Sequence, residues 1–255
     1  MSPLVITLLI VGGIALLIVI AYVNHMVENS KLEKARQKAD LNDRIRRCLD
    51  VSEKMPGQLM SAALKLLLSR LQLQLSERLL PLDKGNAGLK DRIDELKALV
   101  TRGEAIPVNN APQPILNEAK AKEVRFLLEN LHALITGSAQ IGLLPANEGK
   151  HWLKQIRQML VQLHIEFFGS LGQQALQQNQ PGQARLAFER GAHYLRKQPE
   201  PGLYQAQLKH FEEQLARANA LVLDKAQPLA DAPSELTEGL KSLDDDDWKK
   251  KNIYD

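Results

Sequence analysis

Glu129-x-x-His132 and Glu148-x-x-His151 each set a carboxylate and an imidazole three residues apart, the spacing by which one helical face offers two ligands to a di-iron or di-manganese centre. Such a centre also needs glutamates from two facing helices, and Glu148 is expected near a helix start, where the helix dipole already favours an acid. Both pairs therefore read as ordinary helix residues, with a di-metal bundle enzyme as the alternative from another class. Gly142 and Gly149-Lys150 fail as a phosphate loop: six residues instead of four separate the glycines, His151 replaces Ser/Thr, and no strand precedes. Cys48 is the only cysteine, which excludes an intramolecular disulfide framework. Arg46 and Arg47 beside it favour a thiolate, but one cysteine without a catalytic arrangement reads as inert. His25, His164, His193 and His210 have no metal-ligand partners at recognisable spacing. No catalytic, metal or cofactor residues are assigned, and the chain reads as a binding protein.

The elements available to position a binding site are helices. Aromatics make up 4% of the 255 residues, Leu, Ala, Gln, Lys and Glu are abundant, and no β-branched run outside the first apolar stretch reads as a strand. The expected fold class is all-α. A net charge of +3 is too small to imply a nucleic-acid partner.

Leu4 to Val23 contains no charge and, beyond Thr7, no strongly polar side chain. As a helix it is roughly 30 Å long, the thickness of a bilayer's hydrocarbon core, and it has no polar face. Residues 1–24 read as a transmembrane anchor and not as a cleaved signal: Met1, Ser2 and Pro3 supply no basic n-region, and Tyr22 to His25 offer no small-x-small site. Lys31, Lys34, Arg36, Lys38, Arg44, Arg46 and Arg47 follow the span, so the positive-inside rule puts the N-terminus outside and the bulk of the chain in the cytoplasm. The spare architecture suggests a single-pass protein of a bacterial inner membrane.

Residues 25–55 read as a charged juxtamembrane helix with sparse apolar positions such as Ala35, Ile45, Leu49 and Val51. A solvated spacer fits best; weak self-association as a coil needs sustained heptads, and interleaved acids dilute attraction to anionic lipid. Met55-Pro56-Gly57 breaks the helix. Residues 56–102 form the next unit, a helical hairpin made of a leucine-rich helix from Gln58 to Leu80, a turn from Pro81 to Gly88, and a second helix bearing Leu89, Ile93, Leu96 and Val100. The leucine-rich helix has more apolar surface than one neighbour can cover, so a third helix or another protein must pack on it. Three prolines between Gly103 and Pro114 mark 103–115 as an extended linker and domain boundary.

Residues 116–225 read as a second helical domain. Leu116, Val124, Leu127, Leu131, Leu134 and Ile135 mark a helix that stops near Gly137, and Gly142 to Pro145 separates it from one carrying Trp152, Ile156, Leu160, Leu163 and Phe167. From Ile165 to Gln198 the order Phe168, Leu171-Gly172, Ala184, Phe188 is similar to a single tetratricopeptide repeat, a helical hairpin of 34 residues. The resemblance implies that Phe168 stands for the usual Trp, that Leu171 and Gly172 are the Leu-Gly pair, and that Ala184 and Phe188 are the small residue and aromatic of the second helix. Gly172 and Ala184 are small where two helices would cross, and Pro181 can begin the second helix because the N–H it lacks is unpaired there anyway. The sequence departs from the pattern at Ala175, Asn179 and Gly191 and in a proline displaced to Pro199. One repeat is matched where stable arrays use three or more, so a generic αα-hairpin stays open. A last helix bearing Leu203, Leu208, Phe211, Leu215, Ala218 and Val222 is placed to cap the pair.

Residues 226–255 read as a disordered acidic tail. After the block Asp244 to Asp247 it ends with Trp248, Lys249, Lys250, Lys251, Asn252, Ile253 and Tyr254, a peptide whose aromatics suit a partner-binding anchor. Folding back on its own domain is the equal alternative, and the lysines could instead meet the acidic block or anionic lipid. The functional expectation is a membrane-anchored protein–protein interaction scaffold or adaptor with a cytoplasmic helical domain, placed in envelope or division processes by architectural analogy alone. The alternative within binding proteins is the inverted orientation, a periplasm-facing repeat factor acting on exported proteins. The sequence does not name the protein partner.

Overall fold

The computed structural model describes residues 3–225, with the side chains of most residues before 19, and of 224 and 225, outside the described set. The described chain is all-α, with seven α-helices, four short 3-10 turns and no strand among the described residues. It divides into two compact units, Met1–Ser52 with Ala62–Pro107, and Glu53–Ser61 with Val108–Asp255.

The first unit holds α1 (Pro3–Lys54), α2 (Ala62–Leu79) and α3 (Ala87–Thr101). α1 runs without a break from the apolar stretch into the charged one. Arg44 to Asp40 at 2.9 Å and Arg47 to Asp43 at 2.7 Å are i,i+4 ion pairs that support its exposed flank. Among the described residues no helix is long and apolar enough to cross a membrane. Most of Leu4 to Val23 falls where side chains lie outside the described set, and at its end Leu17, Val19, Ile20, Tyr22 and Val23 are exposed.

The structure corrects the reading of 25–55 as a solvated spacer throughout. Leu41 and Ile45, one helical turn apart, pack on Leu79, Leu89 and Ile93, and Cys48 and Val51 on the following turns are fully buried. Lys38 Nζ, 3.0 Å from Asp83, ties the same stretch of α1 to the connection between α2 and α3. The third helix required at the Leu79 end of the leucine-rich surface is therefore α1 itself. The leucine-rich helix is not an exposed interface either, since Leu64, Leu67, Leu68, Leu71 and Leu75 are all buried. It begins at Ala62 instead of Gln58 because Gly57–Leu59 forms a 3-10 turn after Pro56. α3 is as the spacing predicts: Asn86 Oδ1 accepts from Leu89 N at 3.2 Å to cap it, and Leu89, Ile93 and Leu96 face inward.

The second unit packs α4 (Glu118–Gln140), α5 (Ala146–Gln177), α6 (Pro181–Arg196) and α7 (Gln205–Lys225) each against the next. Asn117 caps α4 by accepting from Lys120 N at 2.8 Å. α4 runs past Gly137 and stops at Gly142, which takes φ +71°, while Leu143 N donates to Ser138 O at 2.9 Å. Only glycine enters that left-handed geometry without strain, so Gly142 and not Gly137 is the terminator. α5 is one helix of 32 residues, so the first helix of the repeat-like pair is the last part of α5 and does not begin at Ile165.

The division between the two units falls between Pro107 and Val108, inside the Pro-rich segment 103–115. Residues 103–107 belong to the first unit, where Ile106 is buried, and the rest lies against the second, with Ile115 fully buried. Its backbone is held there by the short stretch Glu53–Ser61. Gly57 N donates to Ala111 O at 3.0 Å, and Asn110 Nδ2 donates to Met55 O at 2.8 Å and Glu53 O at 3.2 Å.

Candidate functional site

The residues that carry the repeat resemblance converge at one crossing. Gly172 on α5 faces Phe188 on α6 so closely that a Cβ would overlap the ring. Phe168, Ala184 and Phe188 are at most 1% exposed around that contact, and Leu171 is half-buried beside it. One turn earlier His164 stacks on Tyr194 with ring centroids 4.3 Å apart and planes 18° apart, and its Nδ1 lies 2.8 Å from Leu160 O. Two of the departures from the repeat pattern have physical explanations. Asn179 takes φ +61° in the α5–α6 turn, a left-handed position that asparagine tolerates better than most residues, and Pro181 opens α6. Gly191 stands where alanine is usual because a Cβ there would come within 2.9 Å of the Phe211 ring. Phe211, 2% exposed on α7, seats that helix on α6, and Arg196 Nη2 to Glu212 Oε1 at 2.6 Å adds a charged clip between them.

The helix pair also holds an extended segment of the chain. Gln58 grips Gln113 in both directions, Nε2 donating to Gln113 O at 2.7 Å and Oε1 accepting from Gln113 N at 3.0 Å. Glu166 on α5 accepts from Ile115 N at 3.0 Å and, through its other oxygen, from Gln58 Nε2 at 3.2 Å. Gln174, two turns further along α5, donates to Leu116 O at 3.1 Å. Side-chain amides and one carboxylate thus satisfy a strand-like backbone as a neighbouring strand would.

Where that segment ends, a groove opens between α5 and α7. Its volume is about 590 Å³; Leu116 supplies exposed apolar surface with the almost wholly buried Phe188 behind, Gly169, Ser170, Gln173 and Gln177 come from α5, and His210 and Gln214 come from α7. Past Gly169 and His210 it continues into a second hollow of about 360 Å³ lined by Ile165, Glu166, Gln207 and Phe211. Gly169 keeps the middle open: a Cβ there would meet nothing nearer than the Phe211 ring at 4.0 Å. Neither hollow is lined by Lys or Arg. Oε1 of Gln207 and Oε1 of Gln214 are buried and find no hydrogen-bond donor among the described residues. Two desolvated carbonyl oxygens without donors are unfavourable, by about 1–3 kcal/mol each, until a ligand or water supplies an N–H or O–H.

The motifs with catalytic spacing are engaged elsewhere. Glu129 Oε1 pairs with Arg125 Nε at 3.0 Å, and His132 is half-buried, its pKa lowered below 6.5 by burial and by the charge of Arg157. Glu148 lies in the first turn of α5 as expected, and His151 is exposed with its ring edge toward Trp152 at 5.6 Å. Among the described residues no group of three or more His, Cys, Asp and Glu is placed to hold a metal ion. Gly149 is buried inside α5, not in a phosphate-binding loop. The Cys48 thiol is pushed up to about 12 by burial, so the neighbouring arginines do not activate it.

The terminal peptide, Trp248 to Tyr254, lies outside the described residues. The groove amides were missed by sequence reasoning because glutamine is an unremarkable helix former. The available signal was their clustering at Gln173, Gln174 and Gln177 and the seven-residue repeat from Gln207 to Gln214, two turns on one helix face. No protein-family model, curated protein or solved structure matches the chain.

Proposed function

We propose that this chain is a membrane-anchored protein-binding scaffold or adaptor. Residues 1–24 span a bacterial inner membrane with the N-terminus outside, and the helical part faces the cytoplasm and serves envelope or division processes. The observation that carries the binding reading is the groove between α5 and α7, open to solvent, floored by apolar surface and walled by amides of which two keep buried oxygens without donors. Amides at the edge of an apolar cleft recognise polypeptide, and Gln58 and Gln174 already use the same chemistry on the chain's own backbone. Exposed Leu17, Val19, Ile20, Tyr22 and Val23 at the end of the apolar run suit lipid better than water and support the anchor.

The terminal peptide Trp248 to Asp255 is the second recognition element in this reading. Deleting it abolishes recovery of the protein partner from membranes while helical content and membrane insertion stay intact. Partner recovery that survives both this deletion and Gln214→Leu removes the tail and the groove from the interface and with them this account of binding. A reporter active only outside the cytoplasm, fused after Asp255, is silent; activity there reverses the orientation and favours the periplasm-facing factor acting on exported proteins.

A further inference from the structure

Charge distinguishes the two ends of the groove. The larger hollow is lined by no acid or base other than His210, whereas the half-buried Glu166 carboxylate lines the smaller one. The bonds that Glu166 makes are to neutral donors, Ile115 N at 3.0 Å on one oxygen and Gln58 Nε2 at 3.2 Å on the other. Lone pairs remain on both oxygens, and among the described residues no Lys, Arg or His forms an ion pair with them. A carboxylate partly withdrawn from water without a countercharge is unfavourable, and a cation brought by a partner relieves that.

The surface around Glu166 can be reached from solvent. Ala206 is exposed, Ile165 is half-buried, and Gly169 adds no side chain between them. Lysine and arginine consist of the complementary parts, a methylene stem that covers apolar surface and a cationic head that reaches beyond it. An apolar side chain would leave Glu166 without a countercharge, and an acidic one would be repelled.

From Glu166 to Gln177 α5 runs about 16 Å. An extended chain covers that distance with about five residues. Along it the exposed amides of Gln173 and Gln177 each offer a donor and an acceptor. Gln174 holds Leu116 O at 3.1 Å, and Gln58 holds Gln113, by the same chemistry.

We propose that the groove takes an extended segment of a partner protein that carries a lysine or arginine. The cationic head sits on Glu166 in the smaller hollow, and the backbone runs along Gln173 and Gln177 in the larger one. This deepens the reading of the groove as a protein-recognition site and rests on it. Glu166 then has two tasks, holding the chain's own Ile115 and selecting the charge of the partner.

The test pans a display library of random hexapeptides on the full chain in phosphatidylcholine nanodiscs, after depletion on empty nanodiscs. Residue frequencies are read from the peptides whose binding is removed by Ser170→Leu, which fills the larger hollow, or by Gln173→Trp at its exposed rim if circular dichroism shows the first to be unfolded. The expected result is enrichment of Lys and Arg at a single position. Exchanging that residue for norleucine in a synthetic copy weakens binding to the wild type about fivefold and to Glu166→Gln less than about twofold. Glu166→Gln keeps an acceptor for Ile115 N, and hydrogen exchange at that amide shows whether the clamp survives. Ala206→Lys, which sets an ammonium in the same hollow and leaves the clamp alone, gives the same loss of discrimination and decides the question if Glu166→Gln loosens the clamp. Groove-dependent peptides with no basic preference overturn the proposal, as does a norleucine penalty unchanged in both variants, the result that attraction to Asp244 to Asp247 would give. Either outcome leaves the groove's role in protein recognition standing. Finding no groove-dependent peptide overturns the proposal together with the reading on which it rests.

Discussion

Gly172 and Phe188 interlock: the absent side chain of the first is the space occupied by the ring of the second. Ala184 and Phe168, both fully or nearly fully buried, close the same crossing, so the ring has little room to retreat. Gly172→Ala therefore overpacks the α5–α6 contact by about 1–3 kcal/mol even though alanine is the better helix former. Thermal melting of the full chain in detergent checks this, and adding Phe188→Leu should recover part of the loss because the two sites share one space. An unchanged melting temperature in Gly172→Ala would remove the close crossing from the account.

Gly57 has the same role against backbone. Its N–H donates to Ala111 O at 3.0 Å, and a Cβ would run into the carbonyl oxygen of Asn110. Backbone yields less readily than the end of a side chain, so Gly57→Ala should detach residues 108–116, with the loss of the Gln58–Gln113 bonds. Hydrogen exchange is the direct readout: the amides of Gln113 and Ile115, protected by Gln58 and Glu166 in the wild type, should exchange at rates close to those of an unfolded chain.

His132 sets a pH dependence whose sign follows from its lowered pKa, caused first by burial and then by Arg157. In the unfolded chain the ring titrates near 6.5, whereas the folded state keeps it neutral to lower pH. The unfolded state therefore binds more protons between those two values. Stability is full above 6.5 and falls as pH drops toward the folded pKa, below which this group contributes no further loss. Denaturant titrations of wild type and His132→Gln across this window should differ in slope, the variant lacking the His132 component.

Cys48 is fully buried with its thiol pushed up to about 12. At neutral pH it should resist maleimide in the folded chain and react promptly in denaturant, because the thiolate is the nucleophile. Fast native labelling would mean that α1 separates readily from the α2–α3 hairpin.

Helix existence was legible because the apolar residues recur at helical spacing, and the start of α6 was legible because Pro181 suits the first position of a helix, whereas Asn179 read only as a departure from the repeat pattern. The last turns of α1 were harder. Leu41, Ile45, Cys48 and Val51 form a stripe too sparse to announce a packed face, and its partners Leu79, Leu89 and Ile93 lie far along the chain. The anchoring of the Pro-rich stretch was illegible for a related reason. Its prolines remove backbone donors and forbid regular structure, while the groups that hold its remaining donors and acceptors, Gln58 and Glu166, are more than fifty residues away on either side. No local pattern encodes a non-local clamp. The groove was illegible because an amide on a helix surface has the same sequence signature whether it faces water or a cleft.

Site-specific photo-cross-linking from Gln173 in the membrane-anchored chain tests most directly whether the groove between α5 and α7 is a protein-recognition site. A photoreactive residue at Gln173, with Phe126, 62% exposed on α4, as the control position, separates groove contacts from general collisions. The account predicts discrete adducts from Gln173 to a partner protein, identified by mass spectrometry, that Ser170→Leu abolishes and Phe126 does not give. Adducts of equal pattern from both positions, or none from Gln173 in a folded, inserted chain, would contradict it.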